Sequence, residues 1–233
     1  IIYVKNECNK GLIYTLNRAI NIARGKYIAR MDADDISLTR RLEKQFRFME
    51  SHRDIIACGT QIEYFDNTRK GNLKSKYPTH DKDMKNLLAI TPCFAHPTII
   101  IRSNVLKDNN IRYDYNFKDA EDYNMWIDLM PFGKYANLNE VLLKYRISES
   151  QISKPYNKIQ TKSTILCRKK YLSQYLSYEI VDKIFESSID ASTIRYLKKS
   201  LSNPKVIEAC YLSLGNYGIL NTMYYIYSLD IFR

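Results

Sequence analysis

The sequence predicts a layered α/β fold: a mixed, mostly parallel sheet flanked by helices, followed by a helical C-terminal extension. Three observations predict it. Short runs rich in β-branched residues alternate with segments of helical apolar spacing from Ile1 to Ile147. Three aspartates, in "DADD" at Asp32 to Asp35, follow one such run directly, where α/β sheets place ligands. After Ser153 the strand signal stops and helical spacing rich in lysine and tyrosine takes over.

The elements follow in order. "IIYV", Ile1 to Val4, reads as a short strand. Leu12, Leu16, Ala19, Ile20 and Ala23 then recur at helical spacing, with Gly25 at the expected C-cap. "KYIARM" is the next strand run. Beyond the acidic cluster, Ser37 is placed to cap a helix whose apolar face is Leu38, Leu42 and Phe46. Ile55 to Phe65 is a third strand, ending in the polar turn "DNTRKGN". "HPTIIIR" is a fourth, since Pro97 can open a strand and β-branched residues follow. A helix from Glu121 is stopped at Pro131 and Gly133, and "VLLKYRI", Val141 to Ile147, is the last strand. Residues 1–153 therefore form the expected α/β core and residues 154–233 the helical region.

At 233 residues the chain can bury a sizeable core. A formal net charge of +11 favours anionic partners such as nucleotide diphosphates, nucleic acid or an anionic membrane surface. No nucleic-acid motif supports the second of these. The five cysteines are scattered and form no CxxC pair, which fits free thiols in a reducing, cytoplasmic setting. The opening apolar run is too short for a signal peptide, and no span reaches the roughly 20 apolar residues of a membrane helix.

The carboxylates in "RMDADD" need an explanation in so basic a chain. Asp32 and Asp34 stand at i and i+2, so an extended backbone points both to one side. Two aligned carboxylates suit Mg²⁺ or Mn²⁺, which take oxygen ligands and keep positions for phosphate oxygens. The competing reading is an acidic turn that leads into the following helix. An EF-hand loop starting at Asp32 fails, because Ile36 stands at a ligand position and Ser37 at the glycine turn. An aspartyl-phosphatase motif fails too, since Ile36 occupies the place of a small or hydroxylated residue.

The segment "NKGLIYTLNRAINIARGKYIARMDADDISLTRRLEKQ" resembles the core of family 2 glycosyltransferases. The resemblance continues through "HPTIIIR", "AEDYNMWIDL" and "LLKYRISESQIS", in family order. It implies a GT-A (Rossmann-like) fold and transfer of a sugar from a nucleotide-diphosphate donor to a glycan, lipid-linked or protein acceptor, with inversion. Asp32 and Asp34 would then hold the metal, Mn²⁺ or Mg²⁺, and Asp122 would be the base with Glu121 orienting. A helix N-cap is the alternative for that pair, and a helix N-terminus should lower a carboxylate's pKa. Asp35, Arg41 and His96 are the expected substrate-binding residues, against plain surface or structural roles for each. Trp126 reads as core rather than as a sugar platform. The basic helices after Lys154 suggest a peripheral membrane contact, against a merely solvated charged face.

The sequence departs from the family pattern in three places. Ser148 stands where a histidine is common, and Asp128 where a basic residue is common. The first βαβ unit, with its acidic nucleotide-gripping turn, has no counterpart, so the core is expected to be N-terminally truncated. A fragment, a remnant and a partner that supplies the missing part all stay open. The rival function is accordingly a non-catalytic glycosyltransferase remnant or a carbohydrate-binding scaffold.

Overall fold

A computed structural model describes residues 1–66, 73–147 and 158–186. Its centre is a mixed sheet built on two long strands, β3 (Ile55–Phe65) and β6 (Lys134–Arg146), which run parallel. On one side, β3 pairs antiparallel with β5 (Ile100–Arg102), and β5 pairs with β1 (Tyr27–Ala29) at the sheet edge. On the other side, β6 pairs antiparallel with the two-residue β2 (Ile36–Ser37), and β4 (Leu73–Lys74) pairs with the end of β3. The sheet order is β1-β5-β3-β6-β2 with β4 off this path. The α/β class is as expected, but the balance of pairings is not: among the described strands, the long central pair alone is parallel.

β3 is buried from Ile55 through Ile62, as a strand covered on both faces must be. Gly59 in its middle is required by close packing. A Cβ there would lie 2.2 Å from Asn137 Oδ1 and 2.8 Å from Phe94 Cδ1. Gln61 fixes the neighbouring segment, donating to Tyr77 O (2.8 Å) while its Oε1 accepts from Tyr77 N (2.8 Å) and Ser75 Oγ (2.9 Å).

Helix α1 (Leu12–Ile22) buries Ile13 and Ile20 rather than Leu12, which is exposed, and ends at Ala23 before Gly25. Helix α2 (Arg41–Ser51) starts later than Ser37 and is rotated from the expected face. Arg41, Gln45 and Met49 are buried, whereas Leu42 and Phe46 are half exposed. The cause is polar. The β3–β5 ladder stops at Cys58, and Gln45 Nε2 fills the gap by donating to Cys58 O (2.9 Å) and Thr98 O (2.8 Å). Buried carbonyls demand such partners, so hydrogen bonding outranks the apolar pattern here.

Two further expectations change. Ile1 to Val4 form no strand, having no described strand beside them, and their side chains are exposed. His96 to Thr98 form a 3₁₀ turn, and β5 begins only at Ile100.

Helix α5 (Glu121–Leu129) is buried nearly all round, as a helix between sheet and further helices must be. Two helices from beyond Ser153 are described, α6 (Lys158–Leu172) and α7 (Tyr178–Phe185). Cys167, Tyr171, Leu172, Val181 and Ile184 join the same apolar core as Ile56, Phe94, Met125 and Trp126. These two helices are thus packed onto the α/β layer and share its core. Asp128 finds its cation on α6: Lys170 Nζ pairs with its Oδ1 (2.5 Å) and donates to the buried Asn124 Oδ1 (2.7 Å). Ser148, Cys210 and the turn at 67–72 lie outside the described residues.

Candidate functional site

A crevice of about 1090 Å³ opens beyond the C-terminal end of β1 and alongside the N-terminus of α5. Its wall carries Asp32, Asp34, Asp35, Asp119, Glu121 and Asp122 against Arg30, Lys74, Lys76 and Arg168. In a chain of net charge +11, this concavity is locally acidic. His96 and the aromatic rings of Tyr64, Tyr77, Phe94 and Tyr145 complete it. A second depression, of about 750 Å³, lies at the opposite end of β1 among Arg24, Lys26, Arg53 and Arg102, away from all of these carboxylates.

The acidic turn is built by β1 running out into the crevice. Arg30 N is held by Ile99 O (3.0 Å), so the chain leaves the sheet edge at a fixed point. Arg30 and Asp32 sit at i and i+2 and therefore face the same way. The guanidinium forks onto the carboxylate, Nη1 donating to Oδ2 at 2.6 Å and Nη2 to Oδ1. From the other side, Arg146 Nε donates to Asp34 O (3.0 Å) and Arg146 N to Asp35 Oδ1 (2.9 Å).

Asp35 is buried, and its second oxygen, Oδ2, has no hydrogen-bond partner. Desolvation, aided by Asp32 and Asp34 and opposed by the Arg146 amide, pushes its pKa up to about 6. A proton or a cation would answer that orphaned oxygen. With a folded pKa above the unfolded one, Asp35 adds its full stability below the unfolded value of about 4. That contribution is lost as pH rises through about 6. Asp35→Asn keeps an acceptor for Arg146 N and removes the titration. It is therefore expected to be more stable than the wild type at pH 8, by on the order of 2 kcal/mol. The difference should close between pH 6 and pH 4 in urea melts; a gap that persists at pH 4 would contradict this.

The donor set suits a hard divalent cation, since it offers carboxylate oxygens and one orphaned lone pair. It is not a preformed cage: among the described residues no group of three or more His, Cys, Asp or Glu side chains is gathered to hold a metal. Both oxygens of Asp32 already face Arg30. The arrangement fits an ion shared with ligand phosphates, as Mg²⁺ sites commonly are.

Across the crevice, Asp122 accepts from the amide of Tyr123 (2.7 Å) at the start of α5. The helix terminus was expected to lower its pKa. Burial prevails instead: desolvation raises it, against the Tyr123 amide and the Arg30 charge. Glu121 is raised by the same cause. His96 shares a 2.8 Å hydrogen bond through Nε2 with Tyr113 Oη, and burial next to Arg30 holds its pKa well below the usual histidine range. It is a neutral imidazole.

The structure brings together Asp32, Asp34, Asp35, His96, Glu121 and Asp122. Arg41 is placed elsewhere. It is buried, donating to Pro97 O (2.8 Å) and Ser37 Oγ (3.0 Å), and it ties α2 to the 96–98 turn instead of facing a substrate. Two crevice residues, Arg30 and Tyr77, escaped the sequence reading, as did Arg146, which holds the acidic turn from behind. The i, i+2 spacing of Arg30 to Asp32 was a usable signal; the other two depend on pairings made far along the chain.

Three cations of α6 are engaged by the protein, while Lys158 and Lys162 on the same helix are exposed. Arg168 Nε donates to Ile90 O (2.9 Å), Lys169 pairs with Asp182 and Lys170 with Asp128. Among the described residues no helix is long and apolar enough to cross a membrane.

Comparison with known proteins identifies the family. A model of the family described as "Glycosyl transferase family 2" matches residues 1–109. An uncharacterized glycosyltransferase of Haemophilus influenzae is 31% identical over 239 residues, covering 98% of this chain and 74% of that protein. The O-antigen biosynthesis glycosyltransferase WbnJ of Escherichia coli is 36% identical over 147 residues, covering 61% of this chain and 56% of WbnJ. Among solved structures, S. aureus TarS 1–349 in complex with UDP-GlcNAc is similar in fold. Its TM-score is 0.50 at 19% identity, over 86% of this chain and 59% of that one. The chain thus spans little more than half the length of WbnJ and of the TarS fragment.

Proposed function

The chain belongs to glycosyltransferase family 2, and on that premise we propose that it transfers a sugar from a nucleotide-diphosphate donor to an acceptor hydroxyl, with inversion. The observation that carries the proposal is the shared crevice: Asp32 and Asp34 line it from the end of β1, and Glu121 and Asp122 from the start of α5. A donor diphosphate and an acceptor need such opposed carboxylates. Asp32 and Asp34 would hold Mn²⁺ or Mg²⁺ jointly with the diphosphate. When bound, that ion neutralises charge developing on the departing nucleotide diphosphate.

The remaining roles fall to the chain itself. Asp122 accepts the acceptor hydroxyl's proton, and its raised pKa makes it a better base than an exposed aspartate. Glu121 orients the acceptor. His96, neutral and held by Tyr113, and Asp35 contact substrate at the crevice floor. A glycan acceptor agrees with the name of WbnJ, an O-antigen biosynthesis glycosyltransferase, and a lipid-linked or protein acceptor satisfies the same chemistry. A membrane contact would have to do without Arg168, Lys169 and Lys170, which are paired within the chain.

Calorimetric titration with a panel of UDP-, GDP- and dTDP-sugars, with and without Mn²⁺, tests the proposal. A donor is expected to bind only with Mn²⁺, and Asp32→Asn or Asp34→Asn is expected to weaken it by at least about tenfold. Carbohydrate binding without any nucleotide-sugar binding would favour the non-catalytic scaffold instead.

A further inference from the structure

Arg30 has no part in the roles given above, yet it occupies the lone pairs that those roles require. Its side chain is only 12% exposed, and it engages both oxygens of Asp32. Its backbone is fixed by Ile99 O through its amide and accepts from Arg41 Nη1 (3.5 Å) through its carbonyl, so the guanidinium is rooted. Its charge also reaches Asp122 and His96 across the crevice.

Asp32 cannot give the same lone pairs fully to a guanidinium and to a divalent cation. If Asp32 turns to a cation, a largely buried guanidinium loses its partner, which is costly in a low-dielectric site. A planar guanidinium fork fits phosphate oxygens as well as it fits a carboxylate. A diphosphate arriving in the crevice would therefore supply the replacement partner.

We infer that Arg30 is a positioning residue that couples the two ligands: it holds Asp32 against a divalent cation alone, and releases it to exchange carboxylate for diphosphate when both are present. This rests on the metal–diphosphate reading of the crevice and adds a property to it. Cation and nucleotide bind with positive cooperativity because one buried cation of the chain must change partners. Removing Arg30 should consequently move the two affinities in opposite directions.

Mn²⁺ binding, counted from the electron paramagnetic resonance signal of the free ion, tests this with the full chain, alone and with UDP or GDP as the diphosphate probe. Arg30→Met is expected to bind Mn²⁺ alone about tenfold more tightly than the wild type and Mn²⁺ with nucleotide about tenfold more weakly. Arg30→Lys keeps the charge without the fork and should fall between on both measurements. Circular dichroism melts show that each variant is folded. Cooperative uptake by the wild type with Mn²⁺ affinity unchanged or weakened in a folded Arg30→Met would overturn the role of Arg30 and leave the metal reading standing. No Mn²⁺ uptake by wild type or variants, with either nucleotide, would overturn the metal reading and this inference with it.

Discussion

Asp122→Asn is expected to lower sugar transfer by at least about a hundredfold while leaving donor affinity within about twofold. The substitution is nearly isosteric, and an Asn oxygen can still accept from the Tyr123 amide, so the start of α5 should keep its geometry. What disappears is the carboxylate that takes the acceptor's proton. Nucleotide-diphosphate release measures the first quantity and calorimetry with Mn²⁺ the second. The wild-type pH profile gives an independent check. Burial raises the Asp122 pKa, so activity should decline on the acid side at a pH above the ordinary aspartate range. Unimpaired turnover in Asp122→Asn would remove Asp122 from the chemistry and direct attention to Glu121.

Trp126→Ala should be the most damaging single change to stability, costing about 3–5 kcal/mol. The indole is fully buried. It meets Phe94 edge-on with centroids 5.1 Å apart and His96 at 5.8 Å, so it supports two crevice residues from below. A domain whose whole stability is about 5–15 kcal/mol has little margin for such a cavity. Its Nε1 has no hydrogen-bond partner, so Trp126→Phe removes volume without breaking a bond and should cost clearly less. Urea melts of the two variants check the order. A loss under about 1 kcal/mol in Trp126→Ala, combined with lost sugar binding, would mark the residue as a stacking platform instead.

Much of this was legible because local and global signals agree. Ile55 to Phe65 reads as a strand and is one, since its apolar run matches burial on both faces. The helix from Glu121, stopped near Pro131, is likewise as read. The acidic turn and the Glu121–Asp122 pair were visible as motifs, although their meeting in one crevice comes from β1 and α5 reaching it from opposite sides.

What escaped shares one cause: partners distant in sequence. The face of α2 follows Gln45 and Arg41, which satisfy carbonyls at Cys58, Thr98 and Pro97, so Leu42 and Phe46 are left outward. Asp128 looked like a departure from pattern until Lys170 of α6 supplied its charge. The rise of the Asp122 pKa could not be read from its place at a helix N-terminus, because burial opposes the helix and wins. A one-dimensional pattern records periodicity well and burial by later elements poorly.

The most direct measurement is anomalous diffraction from crystals of the chain grown with Mn²⁺ and a nucleotide diphosphate. A single strong manganese peak beside the carboxylates of Asp32 and Asp34, with the diphosphate between it and Asp122, is the expected result. A manganese peak elsewhere on the molecule, or a diphosphate bound outside this crevice, would contradict it.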